Sequence, residues 1–92
     1  MENLLSIIVP MYNVESEAPK LVRSLSMLNY HQYSISFTFV DDGCTDRTVQ
    51  NVQDVIDSDP PFMQQCQLIH QKNAGVSVAR NNGIKEAKTE WI

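Results

Sequence analysis

The sequence predicts an α/β fold, a parallel sheet with helices on both faces, from three observations. Short apolar runs alternate with segments of helical period, each apolar run ends at a proline, acidic or glycine-bearing turn, and the resulting order is β-α-β-α-β-α-β. Strands joined through helices pair in parallel, with right-handed crossovers.

Each element follows from its own residues. Leu4-Leu5-Ser6-Ile7-Ile8-Val9 is a nearly continuous apolar run stopped by Pro10, the pattern of a strand buried on both faces. Pro19 suits the first turn of a helix, in which Leu21, Val22, Leu25 and Leu28 recur at helical spacing. Residues 35–40 alternate Ile and Phe with Ser and Thr, close on Val40 and lead into Asp41-Asp42-Gly43, which gives a second strand. Thr45 or Asp46 can cap the next helix, whose expected buried line is Val49, Val52 and Ile56 and whose stop is Asp59-Pro60-Pro61. Residues 66–70 read as a third strand and Lys72-Asn73-Ala74-Gly75 as a turn. A last helix over 76–88 places Ala79, Gly83 and Ala87 on one face, where small side chains let its backbone lie close to the sheet. Trp91-Ile92 begins a further strand.

Composition narrows the function classes. An apolar fraction of 42% and a charged fraction of 20% over 92 residues are those of one ordinary small globular domain. The formal charge of -4, without a basic run, argues against a nucleic-acid partner. Cys44 and Cys66 are far apart and form no C-x-x-C pair, which argues against zinc and against a disulfide framework and fits a reducing, cytoplasmic setting. The run at residues 4–9 lacks a positive leader and is too short for a signal peptide or a membrane span.

In parallel sheets, ligands bind at the carboxyl ends of the strands, so the loops at 10–15, 41–46 and 72–75 are the informative ones. In the first, Pro10 fixes the strand exit, Tyr12 offers a ring face to a base, and Asn13 can hold the turn by local bonds; base stacking of this kind contributes about 1–3 kcal/mol. The plainer alternative is a strand-to-helix loop, with Tyr12 packed on the domain and Glu15 a first-turn acid favoured by the helix dipole. In the second, Asp41 and Asp42 crowd two carboxylates together before Gly43. One of them can accept the ring N–H of a pyrimidine and so choose uracil over cytosine, or the segment can be an Asx turn that caps a helix. Adjacent side chains in an extended chain point in opposite directions, which disfavours a metal shared by the two. In the third, Arg80 lies in the second turn of the last helix, where a guanidinium can reach a base carbonyl or a phosphate or simply be solvated.

Taken jointly, these loops resemble family 2 glycosyltransferases. Ile7-Ile8-Val9-Pro10-Met11-Tyr12-Asn13 matches the hydrophobic strand ending in Pro-x-Tyr-Asn, and Val40-Asp41-Asp42-Gly43-Cys44-Thr45-Asp46 matches Val-Asp-Asp-Gly-Ser-x-Asp, with Cys44 in place of serine. Asn73-Ala74-Gly75, running on to Ala79-Arg80-Asn81-Asn82-Gly83, matches Asn-x-Gly-x-x-x-Ala-Arg-Asn-x-Gly. The resemblance spans nearly the whole chain and implies the Rossmann-like N-terminal half of a GT-A fold, with residues 1–92 forming the nucleotide-sugar-binding part.

The resemblance further implies a uridine diphosphate sugar donor, with Pro10 and Tyr12 flanking the base, Asp41 on its ring N–H and Arg80 near the base or phosphate. Asn13, Glu15 and Asp42 complete the expected nucleotide-sugar-binding set. It implies a divalent cation, Mg2+ or Mn2+, in the full-length parent, held by an Asp-x-Asp segment beyond Ile92, and no catalytic or metal residue within the chain. A later carboxylate would serve as general base for inverting transfer to an acceptor hydroxyl on a saccharide or lipid-linked saccharide. The 92-residue chain alone is accordingly expected to bind donor weakly at most, not to turn it over, and to self-associate as a homo-oligomer through exposed sheet edges. A rival reading is a non-catalytic nucleotide-binding or interaction module of the same fold. A dinucleotide oxidoreductase is disfavoured, because Pro10-Met11-Tyr12-Asn13 stands where G-x-G-x-x-G would follow the first strand.

Overall fold

The apolar run after Asn3 becomes β1 (Asn3–Met11), the hub of a four-stranded sheet in the order β3-β2-β1-β4. A computed structural model describes residues 3–28, 30–86 and 89–91. β2 (Ile35–Asp42) and β4 (Thr89–Trp91) flank β1, and β3 (Cys66–Gln71) lies outside β2. Every pairing is parallel, as the alternation of strands with helices predicts.

Both leading strands run further than their apolar cores suggest. β1 runs on through Pro10 and Met11, whose register partners on β2 are Val40 and Asp41, while among the described residues β4 pairs with β1 at Asn3 and Leu5. β2 continues through Asp41 and Asp42, whose register partners on β3 are His70 and Gln71. Polar residues extend a strand here because β3 runs alongside to the same end and its side chains meet theirs.

Successive strand residues face opposite sides, and the two sides are covered differently. Leu5, Ile7, Val9, Phe37 and Phe39 belong to the main core, beneath α1 (Glu17–Ser26) and α3 (Thr48–Asp57), which also pack on each other. Ile8 and Val40 face α5 (Val76–Glu86), the helix on the other side. In α1 the buried residues are Ala18 and Val22, whereas Leu21 of the expected stripe is exposed and Leu28, also exposed, lies past the helix end at Ser26. In α3, Thr48 and Val55 join Val52 and Ile56, and Val49 is only half-buried.

Two short helices were not legible as such. α2 (Tyr30–Tyr33) precedes β2, and α4 (Pro60–Met63) begins where the two prolines end α3. Pro60 and Pro61 fit a helix start because that position leaves N–H groups unpaired anyway, and Asp59 accepts from the Phe62 N–H at 3.3 Å. The turn drives Phe62 into the core, where its ring centre lies 5.0 Å from that of Phe37 and 5.6 Å from that of Tyr30.

Ala79 and Gly83 form the buried line of α5; Ala87, the third small residue expected there, and Ile92 lie outside the described residues. A Cβ at Gly83 would overlap Ile8 Cγ2 and stand 3.2 Å from Val40 Cγ2. Such overpacking costs about 1–3 kcal/mol, against about 1 kcal/mol regained in helix propensity. Gly83→Ala is therefore expected to destabilise the chain by up to roughly 2 kcal/mol in urea unfolding, and a variant more stable than the parent sequence would refute the close packing of α5 on β1.

Candidate functional site

The carboxyl ends of β1 and β2 and the loop after β3 open into a cleft of about 280 Å³, lined by Pro10, Met11, Tyr12, Asp42, Asn73, Gly75 and Val76. These residues come from each of the three motif loops, and the position agrees with the rule that parallel sheets bind ligands beyond their strand ends. Tyr12 is 48% exposed and presents its ring at the rim, and Asp42, only 4% exposed, forms part of the wall.

Strand alternation separates the two carboxylates, as their adjacency predicts. Asp41 faces away from the cleft wall formed by its neighbour. Its Oδ1 accepts from the Cys44 N–H at 2.8 Å, and its Oδ2 lies 2.8 Å from Nδ1 of His70, its register partner. Asp42 turns to the α5 side. Its Oδ1 accepts from Gln71 Nε2 at 2.7 Å and from the Ala74 N–H at 2.8 Å, and its Oδ2 accepts from the Gly75 N–H at 3.2 Å. The Gly75 carbonyl in turn accepts from Ala79 N–H, the first bond of α5, so Asp42 satisfies orphan donors at a helix start from across the sheet.

Asn13 and Glu15 lace the first loop to the second. Asn13 has φ 49, a left-handed geometry that asparagine tolerates, and its Oδ1 accepts from the N–H groups of Thr45 (2.8 Å) and Asp46 (3.4 Å). The Glu15 N–H donates to Asp46 Oδ2, and Glu15 Oε2 accepts from the Arg47 N–H, each at 3.3 Å. Asp46 also accepts from the Thr48 N–H at 2.9 Å and Thr45 is engaged with Asn13, but the N-cap of α3 is Arg47, so neither of the two expected residues occupies that position. Cys44 makes the bonds open to a hydroxyl, its thiol accepting from the Asn13 N–H at 3.4 Å and donating to the Met11 carbonyl at 3.5 Å. Burial, with the Asp41 charge beside it, pushes the Cys44 thiol up, which keeps it a protonated donor.

The sequence-predicted residues therefore divide by place. Pro10, Tyr12 and Asp42 meet in the cleft; Asn13 and Glu15 brace the loops beneath it; Asp41 is engaged with Cys44 and His70; Arg80 is exposed in the second turn of α5, outside the set lining the cleft. Sequence reasoning missed His70 and Gln71, which only the β2–β3 register sets beside the carboxylates. It also missed Thr48, fully buried, whose Oγ1 accepts from the Val14 N–H at 2.8 Å and donates to Asp46 Oδ1 at 2.6 Å.

Hydrogen bonds set the titration of the three aspartates. Burial pushes the Asp41 carboxyl up, but bonds from His70 and Cys44 outweigh it and hold it below the usual carboxylate range. The Ala74 N–H, then Gln71 and Gly75, hold Asp42 low against its burial, and Thr48 does the same for Asp46. Depressed folded values mean stability fully present above the unfolded value of about 3.9 and lost as pH falls through the lower folded ones. The melting temperature is expected to change little on their account between about pH 7 and 5 and to drop below about pH 4; a melt unchanged in strong acid would refute these bonds.

Among the described residues no group of three or more His, Cys, Asp or Glu side chains is placed to hold a metal ion. The two carboxylates at the strand ends emerge on opposite faces of β2, Asp41 toward Cys44 and His70 and Asp42 toward Gln71, Ala74 and Gly75, so they do not converge on one divalent cation.

Comparison with known proteins places this geometry in context. The family model described as Glycosyl transferase family 2 matches residues 6–92. The chain is similar to the uncharacterized glycosyltransferase EpsJ of Bacillus subtilis (strain 168), 40% identical over 89 residues, covering 97% of this chain and 24% of that protein. It is also similar to the glycosyltransferase GlyG of Streptococcus pneumoniae, 34% identical over 96 residues, covering 100% of this chain and 29% of that protein. It thus spans about a quarter of the length of the relatives it matches. In fold it resembles the mannosyltransferase PcManGT from Pyrobaculum calidifontis, solved in complex with GDP-Man and Mn2+, with a TM-score of 0.82, 20% identity, and coverage of 95% of this chain and 25% of that one. Strand order, motif loops and the family match over residues 6–92 together make the chain a member of glycosyltransferase family 2.

Proposed function

We propose that residues 1–92 supply the base-reading part of the donor site in a glycosyltransferase that moves a sugar from a uridine diphosphate donor to an acceptor hydroxyl with inversion. The observation that carries this reading is the cleft at the strand ends, where Pro10, Tyr12 and Asp42 converge. Tyr12 stacks on the base, Pro10 bounds it, and Asp42 accepts a ring N–H. The acceptor role moves from Asp41 to Asp42, because Asp42 lines the cleft while Asp41 is engaged with His70 and Cys44. Asn13 and Glu15 act by holding the loop that carries Tyr12, and Arg80 extends toward the phosphates from the helix whose first residue, Val76, forms part of the cleft.

In the transfer itself the acceptor oxygen attacks the anomeric carbon, the bond from that carbon to the phosphate oxygen breaks, and the diphosphate leaves with the electron pair while a general base takes the proton. That base, and the carboxylates for Mg2+ or Mn2+ proposed for the whole enzyme, belong to regions outside this chain. The acceptor is proposed to be a saccharide or lipid-linked saccharide, the setting cytoplasmic, at the membrane surface through other regions, and the isolated chain a homo-oligomer without turnover. The fold neighbour was solved with a guanosine donor, so the choice of base must rest on side chains. Isothermal titration of the complete domain with uridine diphosphate and magnesium is expected to give saturable binding, and its absence would sink the proposal.

A further inference from the structure

The acceptor capacity of Asp42 is nearly exhausted within the fold. An ionised carboxylate has about four acceptor positions and no donor, two positions on each oxygen. Oδ1 takes two N–H bonds, from Gln71 Nε2 at 2.7 Å and Ala74 at 2.8 Å, and Oδ2 takes one, from Gly75 at 3.2 Å. One position on Oδ2 remains.

The orientation of Gln71 is also dictated. Because Asp42 can only accept, the Gln71 amide must turn its NH2 to it, which leaves Oε1 facing away, where it accepts from Asn82 Nδ2. Asn82 stands in α5 beside Gly83, the residue that lets this helix lie against β1 and β2. A flipped Gln71 would set oxygen against carboxylate at one end and NH2 against NH2 at the other.

Resting on the reading of Asp42 as the base contact, we propose that Gln71, locked by Asn82, is a specificity-determining positioning residue that fills Oδ1 of Asp42 and leaves a single acceptor for the base. A single acceptor suits a base with one imino N–H on its pairing edge, as uracil has. Guanine presents adjacent N1–H and N2–H groups that need both carboxylate oxygens, and a base with no ring N–H on that edge gains nothing. Specificity arises from an acceptor withheld, since a polar group left unpaired in a closed site discriminates more strongly than an added contact.

The test uses the 92-residue chain, with nitrogen-15 NMR titrations of millimolar uridine diphosphate and guanosine diphosphate. The wild-type chain is expected to favour the uridine nucleotide by about tenfold, with shifts at Tyr12, Ala74 and Gly75. Gln71→Leu, which removes the donor, and Asn82→Asp, which sets a carboxylate against Gln71 Oε1 at a half-exposed position, are both expected to bring the preference close to unity. Asp42→Asn is expected to abolish the response to either nucleotide. An unchanged preference in both the Gln71 and Asn82 variants, with Asp42→Asn still abolishing binding, overturns the role of Gln71 and leaves the base-reading site standing. Uridine diphosphate binding untouched by Asp42→Asn overturns both. Should neither nucleotide shift any resonance, carbon-13 titration of the Asp42 carboxyl decides. An upward displacement in Gln71→Leu and Asn82→Asp supports the lock, and identical titration in all three chains overturns it.

Discussion

Gly43→Ala is expected to leave the chain far less stable and the cleft unformed. Gly43 sits at φ +75, where a Cβ costs about 1–2 kcal/mol of strain. That atom would also lie 2.8 Å from the backbone nitrogen of Asn73 and 3.3 Å from its Cα, contacts with main chain that cannot rotate aside. Overpacking against a fixed neighbour adds about 1–3 kcal/mol, for a total of roughly 2–5 kcal/mol. In a domain of this size each kcal/mol moves the melting temperature by about 4–8 °C, so a fall of at least about 8 °C should appear in thermal circular dichroism. The expected control is Gly75→Ala, where φ is +97 but nothing lies within 4 Å, so only backbone strain is felt and the fall is smaller. Equal stability of wild type and Gly43→Ala would mean that the second and third motif loops do not meet at this point.

The second large effect concerns recognition. Asp42→Ala in the complete domain is expected to weaken uridine diphosphate binding by at least about a hundredfold in calorimetry, because a base N–H in the cleft then has no partner and the α5 start loses its acceptor. Asp41→Asn is expected to act differently. Its carboxylate holds Cys44 and His70, so its loss should lower the melting temperature while changing nucleotide affinity by less than about tenfold. If Asp41→Asn proved the more damaging to affinity, the assignment of the base contact to Asp42 would be wrong.

Much of the scaffold was legible because local pattern and tertiary context agree. The apolar β1, the alternating β2 and the small-residue face of α5 each carry one dominant signal, and the parallel topology follows from their order. The three motif loops could be named, and the opposed directions of Asp41 and Asp42 could be foreseen from strand geometry alone. Which of the two faces the cleft could not. That depends on which side α5 covers, a property of packing between residues 8, 40 and 83. His70, Gln71 and Asn82 escaped notice for a similar reason: their partners lie 29, 29 and 11 residues away, and strand register brings the first two to theirs while the packing of α5 brings Asn82 to Gln71. Phe62 was hidden by its prolines, since a Pro-Pro pair signals a helix stop and gives no sign of the turn that starts there and buries an aromatic ring. Leu21 and Leu28 misled in the opposite direction, being apolar at helical spacing, yet Leu21 lies outside the buried arc of α1 and Leu28 beyond the end of that helix at Ser26.

The division of labour between Asp41 and Asp42 has a consequence for how such a chain can vary. The two are one step apart along β2, and each step reverses the face on which a side chain emerges. Deleting or inserting a single residue within β2 would exchange them, bringing a carboxylate without its Gln71 partner into the cleft and sending the other toward His70. Two residues gained or lost would preserve the arrangement. The spacing between the hydrophobic core of β2 and its acidic end is thus fixed by parity as well as by length, and lineages of this site should change that spacing in even increments or compensate an odd one with a bulge.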